Sequence, residues 1–192
     1  MPTRQPNLGW APRAALLVPL VAALLPLLAN CGPARNQFAP PCPRPSFLGD
    51  AADLDIYRTG TAPNGPHDLT DLVLQARIVG VNGNCKEGDT KTQLATAVNI
   101  LVELTRGPAM QGQETDVPVF LAVTEGDTIL DKHVYLVHAT FPSNVDRMTL
   151  GTGEIDMILP ITATKSGAAY TVLAGFQLTP DQLAQSRRNH RQ

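Results

Sequence analysis

The sequence lacks most of the patterns from which recognisable chemistry is built. It contains no Cys-x-x-Cys, no His-Glu-x-x-His and no cysteine–histidine pair at metal-ligand spacing, so no metal site and no cofactor are expected. Gly-x-Ser-x-Gly and Ser-x-x-Lys are missing as well, which removes the common signs of a serine nucleophile. Gly151-Thr152-Gly153-Glu154 has two glycines but no downstream Gly or Lys, and it precedes a strand pattern rather than a helix. It is therefore not read as a phosphate loop. Tryptophan occurs once, at Trp10, and aromatic residues make up only 5% of the chain, which disfavours a stacking platform for sugars. Residues 31–186 carry a net charge of −7, and an acidic body repels phosphate backbones, so nucleic acid is not an expected partner.

Long uncharged runs are also scarce, with one exception. Residues 14–29 (AALLVPLVAALLPLLA) are sixteen uncharged, almost wholly apolar positions preceded by Arg4 and Arg13. A basic start, an apolar core and small residues at its end are the layout of a secretory leader. The run is shorter than the ~20 residues of a membrane span and holds Pro19 and Pro26. Residues 1–30 are accordingly expected to be a signal peptide. Its end, Leu28-Ala29-Asn30-Cys31, resembles the lipobox of bacterial lipoproteins, departing from it at Asn30, where a small residue is usual. The resemblance implies that Cys31 becomes lipidated and then forms the new N-terminus. It also implies a membrane-lipid partner through acylated Cys31, and Gly32 after it leans towards the outer membrane.

Only three cysteines are present. If Cys31 is acylated, Cys42 and Cys85 remain as an even pair for an oxidising compartment, and a Cys42–Cys85 bridge is expected from that count. Residues 31–46 hold five prolines and are expected to form an extended tether.

Beyond the tether the apolar pattern has period two, the mark of strands. Leu72, Leu74, Ala76 and Ile78 alternate with their neighbours, as do Val98, Ile100, Val102 and Leu104, and then Val117, Val119, Leu121 and Val123. Pro118 marks an edge or a strand start. Glu125-Gly126-Asp127 reads as a turn into a return strand over 128–141, followed by a loop at 142–153. Ile155 to Leu159 and Tyr170 to Leu178 complete six long strands, and a seventh is expected near Phe47-Leu48 or 160–164. Strands joined by short turns imply an antiparallel arrangement. The expected fold of residues 47–192 is all-β, an antiparallel β-sandwich of immunoglobulin or fibronectin type III kind, with a closed barrel as the alternative. Thr179-Pro180-Asp181-Gln182 combines a cap, a proline at the first helical position and a Gln three residues after the cap. This predicts a short C-terminal helix over 180–188, and a second short helix is expected over 49–56.

His133 and His138 lie five apart on one strand, so they should face opposite ways and cannot share a metal. Asp50, Asp53 and Asp55, or Glu125, Asp127 and Asp131, could attract calcium, but neither set fits a calcium loop. No catalytic residue is expected.

The lipobox, the Cys-Pro at 42–43, Phe47-Leu48-Gly49-Asp50-Ala51-Ala52 and the closing Gly175-Phe176-Gln177-Leu178-Thr179-Pro180-Asp181-Gln182-Leu183 together resemble uncharacterised lipoproteins of Gram-negative bacteria. The resemblance implies no activity. The expectation is a non-catalytic, lipid-anchored lipoprotein of the cell envelope, facing the periplasm and structural or protein-binding in role. Loops 106–116 and 142–153 are its expected contact surfaces for an envelope protein. The alternative is an envelope hydrolase using loop carboxylates.

Overall fold

The computed structural model describes residues 41–58 and 68–189, all of them within the unit Ala39–Gln192. The leader, Cys31, most of the tether, His67 and His190 lie outside the described residues. Among the described residues nine strands form: β1 (Arg44–Phe47), β2 (Asp53–Tyr57), β3 (Leu72–Glu87), β4 (Gln93–Arg106), β5 (Glu114–Glu125), β6 (Thr128–Thr140), β7 (Arg147–Gly151), β8 (Ile155–Pro160) and β9 (Thr171–Phe176). A helix, α1 (Pro180–Asn189), follows.

The strands make two packed sheets. One has the order β1-β9-β5-β6, and the other runs β2-β3-β4, with β7 and β8 sharing the far side of β4. All pairings are antiparallel except that of β1 with β9. The protein is thus an all-β sandwich. Alternation decides which side chains meet. Leu74, Ala76, Ile78, Val98, Ile100, Val102 and Leu104 from one sheet pack against Val117, Val119, Leu121, Val172, Ala174 and Phe176 from the other. The two inner faces form one core, as expected when each sheet can bury only one side.

Several local expectations change. Residues 49–56 are not a helix: a 3₁₀ turn, Gly49–Ala51, leads directly into β2. Leu54 and Ile56 alternate with Asp53 and Asp55, and five residues of period two pair with β3 more readily than they close two helical turns. The span 142–153 is not one loop, because β7 lies within it and pairs with Leu101 to Thr105 of β4. β1 begins at Arg44, inside the expected tether. Pro45 is tolerated there because β1 is an edge strand.

Pro118 sits in β5, an interior strand. Its carbonyl accepts the Gln177 N–H at 2.9 Å, so its own missing N–H points to the side where the ladder with β9 has already ended at Phe176. The proline removes only the reciprocal bond to Gln177 at the end of that ladder, and pairing with Leu136 of β6 is unaffected. At α1, Gln182 Oε1 accepts the Thr179 N–H at 2.9 Å, and Thr179 Oγ1 accepts the Gln182 N–H at 3.3 Å. This is the reciprocal cap the sequence predicts.

Candidate functional site

The two lateral sides of the sandwich differ. On the β1–β3 side, a disulfide joins Cys42 to Cys85, and Pro45 lies over Gly83. That side is stapled. On the opposite side, β6 and β8 are edge strands that pair with no further strand among the described residues, and a groove of about 390 Å³ opens between them.

The groove follows from a change of character along one face of β6. Register places Asp131, His133, Tyr135, Val137 and Ala139 on the inner face, opposite Val123, Leu121, Val119, Val117 and Thr115. Val137 and Ala139 are buried, and Phe141 just beyond them is fully buried. Towards the other end the same face carries Asp131 and His133, which remain exposed. The sheets therefore close over the last third of β6 and gape over its start. The floor left uncovered is core: Leu121, Val123, Leu159 and Tyr170, with Met157 beside them. Polar groups are few. Asp131 Oδ2 and His133 Nε2 are 3.0 Å apart, Asp156 lies across the groove, and Tyr135 borders it. The Tyr170 hydroxyl donates to the Pro160 carbonyl at 2.6 Å and is already used.

The lining places the Asp131–His133 pair and Asp156 beside apolar walls and contains no serine, threonine or cysteine. Both members of that pair are more than half exposed. At about 390 Å³ the groove falls within the ~300–1,000 Å³ of ordinary ligand sites, with apolar walls and a few polar groups.

The outer face of β6 adds a second feature. Ile129 is 63% exposed, Val134 50% and Leu136 71%. Lys132, the single lysine of the strand, lies 4.4 Å from the Phe120 ring centroid and so caps an apolar surface. A shallower apolar groove of about 240 Å³ continues over Phe120, Ala122 and Leu173 to Leu183 of α1. A third, polar groove of about 180 Å³ separates α1 from β2 and β3. There Arg77 Nε donates to Asp53 at 2.6 Å, and that contact raises the Arg77 pKa. Burial, followed by the nearby Asp55 charge, raises the pKa of Tyr57.

His133 and His138 do face opposite ways. His138 pairs with Asp116 at 2.9 Å on the outer face. Among the described residues no group of three or more His, Cys, Asp or Glu could hold a metal ion, and no helix is long and apolar enough to cross a membrane. The expected contact loops come together: Phe141 N–H donates to Gln113 at 2.7 Å, and Arg106 N–H donates to Asp146 at 2.7 Å. They mark the closed end of β6, away from the groove. Sequence reasoning missed the groove, although Asp131 and His133 at the core parity of β6 were its visible sign. Comparison with protein families, curated proteins and solved structures gives no match for this chain.

Proposed function

We propose that this protein is a non-catalytic lipoprotein of the cell envelope. It is held to the membrane through acylated Cys31, faces the periplasm with the outer membrane favoured, and uses its β-sandwich to bind another envelope protein. The observation that carries the reading is the Cys42–Cys85 bridge. Reducing compartments keep such thiols apart, and the bridge uses two of the three cysteines. The third stands at the end of the apolar leader in a lipobox-like setting. A diacylated or triacylated cysteine would hold stably, since each buried methylene adds about 0.8 kcal/mol and one chain alone is marginal.

Metabolic labelling with an alkynyl fatty acid tests this. Wild type should take up the label, Cys31→Ala should not, and globomycin should leave the wild-type leader uncleaved. An unlabelled wild type, or a full-length chain found in the cytosol with reduced thiols, overturns the anchor. The Asp131–His133 pair favours the alternative hydrolase. That reading requires ester or glycoside turnover that disappears in His133→Ala, whereas the proposed one expects no turnover.

A further inference from the structure

We infer that the free edge of β6 is a strand-addition site. Its occupant is an extended segment of a different protein, with aliphatic residues at alternate positions and basic residues at its ends. The inference rests on the protein-binding part of the proposed function and is independent of the acyl anchor.

The other edges are defended in the ways natural sheets use. β1 has four residues, including Pro45. β2 has five, carries Asp53 and Asp55, and lies beside α1, where Gln185 reaches Tyr57. β7 and β8 are short and separated by 152–154, with Gly153 at φ 77°. β6 is less well defended: Asp131 lies on its inner face and its register shifts once, opposite Val123 and Thr124, but it has neither a proline nor a covering helix. It runs for thirteen residues without proline, its lysine is turned onto Phe120, and it exposes Ile129, Leu130, Val134 and Leu136.

A strand added beside β6 would complete the sandwich. Strand geometry sends alternate side chains to opposite faces. One set would enter the groove over Leu121, Met157 and Leu159, and the other would lie beside Val134 and Leu136. Main-chain hydrogen bonds supply affinity in this mode, and the pockets under alternate positions supply selectivity.

A second copy fits poorly. Two β6 strands paired antiparallel with inner faces together would bring Asp131, His133 and Tyr135 over the apolar floor. The charge pattern indicates what does fit. Asp131 and Asp156 line the groove with no lysine or arginine, in a body that is acidic overall, so basic ends are favoured.

The test uses the full chain in phosphatidylcholine nanodiscs, with amide hydrogen exchange read segment by segment. The probe peptide is Lys-Thr-Val-Thr-Val-Thr-Val-Thr-Lys, whose lysines share the valine face. Its controls are the same peptide with Glu at both ends and the block sequence Val-Val-Val-Thr-Thr-Thr-Thr-Lys-Lys. The alternating basic peptide should slow exchange in β6 at least tenfold, leave β1, β2 and β8 unchanged, and bind at least tenfold more tightly than either control. Leu136→Lys should abolish the protection with little change in Tm, because the position is already 71% exposed, and Leu136→Val should retain it. Equal protection by the block peptide, protection at another edge, no protection, or unaltered binding by Leu136→Lys overturns the inference. So does β6 protection that rises with protein concentration alone, which would indicate self-pairing. Each of these failures leaves the fatty-acid labelling result untouched.

Discussion

Removing the Cys42–Cys85 bridge tests the stapled side of the sandwich most directly. The bridge spans a sequence separation of 43. In the chain-entropy account, a loop of that size loses enough unfolded-state freedom to stabilise the fold by about 4 kcal/mol at 25 °C. The native contacts indicate where the loss should appear. β1 has four residues, pairs only with β9, and leaves Phe47 44% exposed. Without the bridge, little but this short parallel ladder and Pro45 over Gly83 holds it in place. Cys42→Ser/Cys85→Ser should therefore lower the urea midpoint by about 2 M, taking a slope of about 2 kcal/mol/M. In a thermal scan the same loss is about 8–16 °C for a chain of this size. Amides of β1 should lose protection first, while those of β4 and β5 should open only globally. Reduction of the wild type should give the same shift. A loss below about 1 kcal/mol, with β1 still protected, would refute the entropic argument, because contacts alone would then be holding the strand.

Packing and hydrogen bonding set the outcome at five other positions. Phe141→Ala should cost about 3–5 kcal/mol in urea unfolding, since the ring is fully buried where the sheets close; Leu136→Ala should stay within about 0.5 kcal/mol. Thr96→Val should raise stability by about 1–2 kcal/mol, because Thr96 Oγ1 is buried without a hydrogen-bond partner and the valine keeps its shape. Gly107→Ala should cost about 1–3 kcal/mol, since its added methyl would run into the Leu72 carbonyl. The Asp68 carboxylate accepts the Thr70 N–H at 2.9 Å, which holds its pKa below the ordinary 3.8. Its contribution is complete above 3.8 and is lost as pH falls through the lowered folded value, so the acid titration of the Thr70 amide shift should vanish in Asp68→Asn.

The long strands were legible because burial on one side imposes a period of two. Leu74 to Ile78 and Val98 to Leu104 keep that period without interruption. The terminal helix was legible because Thr179 and Gln182 carry their own capping chemistry. β2 was not, since aspartates at 53 and 55 suit a helix start as well as they suit the polar side of a short edge strand. β7 was hidden because its five residues, Arg147–Gly151, expose alternate positions at a sheet edge and bury none completely. The groove was less legible still, because it depends on which strand of the facing sheet covers each part of β6. β7 pairs with Leu101 to Thr105 of β4, and β8 pairs with Gln93 to Val98. The division of one edge between two short strands is what leaves the start of β6 uncovered. No local pattern encodes it.

The two proposals constrain each other through the point where the chain enters the sandwich. The Pro41 carbonyl lies against Gly167, next to Leu94. Leu94 packs with Val123, Leu159 and Tyr170 in one cluster, and the last three of these also floor the groove. The entry point and the groove therefore lie at the same end of the body. Ten residues separate Cys31 from Pro41, and fully extended they reach no more than about 36 Å. An acylated Cys31 would confine the groove to roughly that distance from the bilayer surface, plus the short span between Pro41 and the groove itself. A partner strand would then have to come from a segment held near the same membrane. Such confinement turns a modest peptide affinity into a durable contact by raising effective concentration, and a longer tether weakens that gain. Inserting thirty Gly/Ser residues after Arg35 should therefore leave peptide binding in nanodiscs unchanged while reducing capture of a membrane-held partner in cells. Equal capture with the long tether would mean that the partner reaches the groove without help from the anchor.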